Sequence, residues 1–170
     1  GFSLGGLIAQ RVALDHTKRV RRLVLISTVA GRNDDERARV AARLRALATS
    51  DRGSHYEASM NRWFTEGFQK AHPELMRTLK ARNAANDPEC YAAAYRVLAE
   101  TDLGPELHRI ATPTLIMTGE EDQGSNPRMA RFMHERIVGS ELAILPGLRH
   151  SILQEAPDQV AARMRGFLLA

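Results

Sequence analysis

Three short apolar runs constrain the fold more than any other feature: Leu23-Val24-Leu25-Ile26, Thr114-Leu115-Ile116-Met117 and Glu141-Leu142-Ala143-Ile144-Leu145. Each is four or five residues long and bounded by charged or turn-forming residues, which is the pattern of a buried strand. The stretches between and beside them have helical spacing. Residues 5–15 (GGLIAQRVALD), 127–137 (PRMARFMHERI) and 157–169 predict helices, the last two with Pro127 and Pro157 where a helix start tolerates proline. Strands separated by helices imply an α/β fold, a parallel sheet with flanking helices.

Residues 32–108 differ in character. They are rich in Arg, Ala and Glu, show helical periodicity and contain no convincing strand. The segment is too long for a crossover. It reads as a helical cap insertion over the C-terminal strand ends, where open α/β sheets bind ligands. The expected organisation is a core of residues 1–31, a helical cap of residues 32–108, and a second core part of residues 109–170.

Bulk properties exclude several classes. Apolar residues make up 44% and charged residues 26% of the 170 residues, an ordinary composition for a folded globular chain. A single cysteine, Cys90, rules out disulfide frameworks and cysteine-rich zinc sites. It is read as an inert small residue. No apolar run approaches the ~18 residues of a membrane span. The densest basic run, Lys18-Arg19-Val20-Arg21-Arg22, has no interleaved aromatics and reads as a solvated loop rather than a nucleic-acid surface. Neither nucleic acid nor membrane is expected as a partner, and the cytoplasm is the expected location.

Three motifs carry chemistry, each beside a strand end. Gly1-Phe2-Ser3-Leu4-Gly5 matches G-x-S-x-G and opens directly into the first helical pattern. Such a strand-to-helix turn exposes the serine hydroxyl. Its flanking glycines are expected to be needed for clearance, and the Leu4 backbone N–H is placed to donate to an oxyanion. After the Thr114 strand come Glu120, Glu121 and Asp122, any of which can supply the carboxylate that orients a base. After the Glu141 strand comes Pro146-Gly147-Leu148-Arg149-His150, and a histidine there can return to the serine and move its proton. The other histidines, His16, His55, His72, His108 and His134, are read as surface or packing residues. Serine, acid and histidine in this chain order, each leaving a different strand, are the order of one hydrolase class.

On these residues, the chain resembles the α/β-hydrolase superfamily, closest to the 3-oxoadipate enol-lactonase-like branch. GFSLGGLIAQ, RVRRLVLIST, RWFTEGF, TPTLIMTGEED and LPGLRHSILQEAP carry the resemblance over nearly the whole chain. It implies Ser3, Asp122 and His150 as catalytic triad, with Asp122 favoured over its two neighbours by the G-x-x-D spacing before Pro127. It further implies no metal or organic cofactor, a small ester or lactone as substrate, and a role in the catabolism of aromatic compounds. Trp63 and Arg62 become candidates for substrate binding, as pocket wall and carboxylate partner. Phe2, Leu4, Met60, Tyr91 and Tyr95 are read as packing residues. The rivals are a C–C bond hydrolase, a haloperoxidase-like protein, and a truncated or binding-only relative.

Members of this superfamily carry about five further strands before the serine motif, and the second oxyanion donor comes from a loop among them. The chain opens on Gly1, inside the motif, and is therefore read as a fragment. Leu23–Ile26 is expected to present an unpaired apolar edge, which promotes aggregation. Residues 1–170 expressed alone are accordingly expected to aggregate and to lack activity.

Overall fold

The computed structural model describes the backbone of residues 1–49 and 52–170, and side chains outside 48–55. Its contacts divide into two units: Gly1–Arg32 with Asp102–Ala170, and Asn33–Thr101.

The first unit is an α/β layer. It contains α1 (Leu4–Asp15), β1 (Leu23–Ile26), β2 (Thr114–Gly119), α7 (Pro127–Arg136), β3 (Glu141–Leu145), α8 (Ile152–Glu155) and α9 (Pro157–Leu169), with 3₁₀ turns at Thr17–Arg19 and Gly104–Arg109. The strands are parallel in the order β1-β2-β3. Leu25 pairs with Ile116, and Met117 with Ala143. Val24, Ile26, Leu115, Met117, Ala143 and Leu145 form one apolar face with Ile152, Val160 and Phe167 of α8 and α9. The alternate residues Leu25 and Ile116, each with 0% exposure, face the other way. There α1 packs on β1, and α7 packs on β2 and β3. Burial on both faces explains why the three strands read as continuous apolar runs rather than alternating ones.

The outer edge of β1 departs from the sequence expectation. The Gly1 nitrogen donates to Val24 O at 2.8 Å, Ile26 N–H to Gly1 O at 2.9 Å, and Ser3 N–H to Ile26 O at 2.9 Å. Phe2 forms a parallel bridge to Ile26. The serine motif itself thus pairs with the C-terminal part of the edge that was expected to lie bare. The four-residue helix α8 is also absent from the sequence reading. Its one turn is too short to show a period.

The second unit is helical: α2 (Asp34–Thr49), α3 (Arg52–Trp63), α4 (Glu66–Ala71), α5 (Pro73–Ala84) and α6 (Pro88–Glu100). Three of its helices, α2, α4 and α6, start where a side chain accepts from a free N–H of the first turn. Asn33 and Glu36 exchange backbone-to-side-chain bonds of 2.8 and 2.9 Å at the head of α2, a capping box. Asp87 accepts from Cys90 N–H at 2.8 Å at the head of α6. Tyr56, Met60 and Phe64 form its core, with Trp63, Phe68, Met76 and Leu79 packed against them. Residues 102–109 belong by their contacts to the first unit. There the Asp102 carboxylate accepts from Gly31, Arg32 and Gly104 N–H at 2.8, 3.2 and 2.9 Å. Among the described residues, no helix is long and apolar enough to cross a membrane.

Gly119, the last residue of β2, sets how closely two loops approach. A Cβ there would lie 2.2 Å from Arg149 O and 2.3 Å from Leu148 O. Only glycine lets the loop after β3 lie against the end of β2. Gly119→Ala should cost about 1–3 kcal/mol, as overpacking does, and lower Tm by several degrees at about 2–4 °C per kcal/mol. Gly5→Ala, whose Cβ would meet nothing within 4 Å, is the comparison and should leave Tm unchanged or raised. Calorimetry showing equal Tm for both variants would contradict the close-approach argument.

Candidate active site

Three loops leave the same edge of the sheet. The turn at Ser3 follows the Phe2–Ile26 bridge, the Asp122 loop follows β2, and the His150 loop follows β3. A parallel sheet puts the ends of its strands on one side, so residues distant in sequence converge there.

Ser3 has φ 52° and ψ −118°, a left-handed conformation that non-glycine residues rarely adopt. Such a backbone costs on the order of 1–3 kcal/mol and persists only where its surroundings enforce it. The enforcing contacts are local. Ser3 N–H is tied to Ile26 O, and Ser3 O accepts from Gly6 N–H at 3.0 Å and Leu7 N–H at 3.3 Å. The Thr28 hydroxyl adds a third donor to Ser3 O at 2.8 Å. Leu4, the first helical residue, has no intrahelical acceptor for its N–H. That donor sits at the positive end of α1, next to the serine.

The clearance requirement differs from the one expected. A Cβ on Gly1 would lie 2.3 Å from Gly5 O, and one on Gly6 would lie 2.5 Å from Thr28 Cβ. Gly5 has open space around it. The glycines that clearance demands are therefore Gly1 and Gly6, not Gly1 and Gly5.

His150 Nε2 lies 3.1 Å from Ser3 Oγ, and His150 Nδ1 lies 2.7 Å from Asp122 Oδ2. A carboxylate only accepts, so Nδ1 carries the proton in that contact. In the neutral ring, Nε2 is then the acceptor for the Ser3 hydroxyl. Asp122 is 3% exposed. Its second oxygen, Oδ1, accepts from Gly124 N–H at 2.8 Å and Ser125 N–H at 2.9 Å. The carboxylate is thereby fixed from both ends. The Thr118 hydroxyl donates to Ser125 O at 2.8 Å and braces the same loop. The Phe2 ring packs beside the His150 ring, with centroids 5.1 Å apart.

The competing acids point elsewhere. Glu120 accepts from Gly147 N–H at 3.2 Å, and Glu121 pairs with Arg149 at 3.6 Å. His134 Nδ1 is bonded to Ser140 Oγ at 2.9 Å, and His72 packs on the Phe68 ring. His16 and His108 are exposed, and His55 lies outside the described side chains. Cys90 is exposed. Trp63 and Arg62 belong to the helical unit, where Arg62 donates to Ser59 Oγ at 2.8 Å. Among the described residues, no group of three or more His, Cys, Asp or Glu side chains is placed to hold a metal ion. Sequence reasoning missed Thr28, Ser125 and the contact of Phe2 with His150. Thr28 could be suspected only from its position just past β1, and Ser125 only from its place in the acid-bearing loop after β2.

With this geometry in view, comparison with known proteins is direct. Residues 1–163 match the family described as "Alpha/beta hydrolase family". The chain belongs to that family. It is 31% identical over 147 residues to 3-oxoadipate enol-lactonase 2 of Acinetobacter baylyi, covering 85% of this chain and 54% of that protein. It is 31% identical over 176 residues to the pimeloyl-[acyl-carrier protein] methyl ester esterase of Nitrosospira multiformis, covering 98% of this chain and 66% of that one. The crystal structure of the enol-lactonase from Burkholderia xenovorans superposes with a TM-score of 0.90 at 26% identity, over all of this chain and 64% of that one. The chain thus spans between half and two thirds of these relatives. Within this α/β hydrolase, Thr28 is the least conspicuous support of the serine turn. Thr28→Val keeps the shape that fills the space beside Gly6 but removes the donor to Ser3 O. Urea unfolding should show a loss of about 0.5–1.5 kcal/mol, and unchanged stability would remove Thr28 from this role.

Proposed function

We propose that the protein hydrolyses a small carboxylic ester or lactone through an acyl-enzyme on Ser3. The observation that carries this reading is the Ser3–His150–Asp122 relay, with separations of 3.1 and 2.7 Å, on a serine held in a strained turn at a helix start. His150 Nε2 takes the hydroxyl proton as Ser3 Oγ attacks the carbonyl carbon. Asp122 holds the ring and stabilises the imidazolium. The Leu4 N–H donates to the developing oxyanion. His150 then gives its proton to the leaving oxygen, and water repeats the sequence to release the acid and restore Ser3.

Two named relatives support the substrate class: one is a lactonase and the other a methyl ester esterase. An enol-lactone of the 3-oxoadipate type is the specific substrate proposed. Its leaving enol would stay attached to the acyl chain and become a ketone. Trp63 and Arg62 are proposed to contribute to substrate recognition.

Kinetics with a short p-nitrophenyl ester on the full-length protein test the reading. Ser3→Ala should abolish turnover. Asp122→Asn should lower kcat strongly, by up to ~10⁴-fold. Glu120→Gln and Glu121→Gln should remain close to wild type. A large loss from Glu121→Gln beside a mild one from Asp122→Asn would reverse the acid assignment.

A further inference from the structure

Among the described residues, only two that are not glycine have a positive φ: Ser3 at 52° and Ser27 at 44°. A side chain rarely adopts such a conformation, and it persists only where the surroundings enforce it. Ser27 is the first residue past β1, on the sheet edge that carries the candidate site. It is 0% exposed. Its hydroxyl is buried and has no hydrogen-bond partner among the described residues. A buried hydroxyl left unpaired is a cost rather than a support. The side chain therefore gives no reason for the conformation of Ser27. The backbone does.

Ile26 N–H donates to Gly1 O and Ser3 N–H to Ile26 O, both at 2.9 Å. These are successive rungs of a parallel ladder. In a regular ladder the next rung would run from Thr28 N–H to Ser3 O. The Thr28 hydroxyl donates there instead, at 2.8 Å. Ser27 N–H meanwhile donates to Met117 O of β2, at 2.8 Å. Rotation about φ leaves a residue's own N–H in place and redirects everything after its Cα. Ser27 thus stays in the ladder with β2, while its positive φ turns Thr28 so that its side chain, not its N–H, reaches Ser3.

Thr28 then has a fixed place. It is 2% exposed, and its Cβ lies where a Cβ on Gly6 would approach to 2.5 Å. The two residues on either side of Ser27 therefore hold both backbone polar groups of the nucleophile. Ile26 accepts from the Ser3 N–H, and Thr28 donates to the Ser3 carbonyl oxygen.

We propose that Ser27 is a positioning residue for the nucleophile. Its left-handed backbone, not its hydroxyl, delivers the Thr28 hydroxyl to Ser3 O and so keeps Ser3 in its strained turn. The proposal deepens the hydrolase reading and rests on it for what Ser3 does.

The rate at which a fluorophosphonate labels Ser3 in the full-length protein reads this role. Ser27→Thr and Ser27→Asn add similar bulk, but a β-branched residue resists positive φ and asparagine accepts it. Ser27→Thr should slow labelling about tenfold, and Ser27→Asn by no more than about threefold. Thr28→Val should slow it about five- to tenfold, and Thr28→Ser, which keeps the hydroxyl, should recover most of that loss. Ser27→Thr combined with Thr28→Val should be no slower than the slower single variant, because both act on one contact. Melting curves check that each variant folds. If Ser27→Thr does not fold, the Thr28 pair decides. The same double-variant cycle read in urea unfolding needs no activity. A wild-type protein whose Ser3 is not labelled contradicts the hydrolase reading, and the unfolding cycle then decides whether Ser27 acts through Thr28. Ser27→Thr labelled as fast as Ser27→Asn, Thr28→Val labelled as fast as Thr28→Ser, or losses that simply add in the double variant would overturn the proposal.

Discussion

A parallel sheet has a polarity, and the candidate site depends on it. All three strands run the same way, so every loop that follows a strand emerges on one edge. Ser3 and His150 are 147 residues apart in the chain and 3.1 Å apart in space because of it. The register then adjusts the meeting. Gly119 pairs with Leu145, so the loops that carry Asp122 and His150 start from neighbouring positions. The missing side chain at Gly119 lets those loops touch.

The groups of the candidate site are costly to hold, and local structure offsets each cost. The Ser3 backbone sits in an unfavourable region, held by ladder bonds to β1 and by three donors on its carbonyl oxygen. A buried carboxylate needs partners on both oxygens. Asp122 has two backbone N–H groups on one and the His150 ring on the other. His150 in turn is packed by Phe2, a neighbour of the serine it faces. Strain, burial and hydrogen bonding thus converge on the same few residues, as they do where structure is arranged for chemistry.

The parts of this arrangement that were legible in the sequence are those with a period or a fixed spacing. Leu23–Ile26 and Glu141–Leu145 are strands with the bounds their apolar runs indicate, and Thr114 to Met117 extends two residues further, to Gly119. Pro127 and Pro157 open helices. Contacts that join distant segments were not legible. Nothing local marks Thr28 as a donor to Ser3, or Gly6 rather than Gly5 as the glycine that clearance demands. The covered edge of β1 was missed because Gly1–Ser3 was read as a turn, not as the end of a pairing segment.

The central claim is that Ser3 is an activated nucleophile. Covalent labelling of the full-length protein tests it most directly. A fluorophosphonate reacts with an activated serine and leaves a stable adduct, which tandem mass spectrometry assigns to a residue. The account predicts one adduct, on Ser3, formed rapidly in the native protein and lost on unfolding or in His150→Ala. An unlabelled Ser3, or labelling spread over other serines and indifferent to His150, would contradict it.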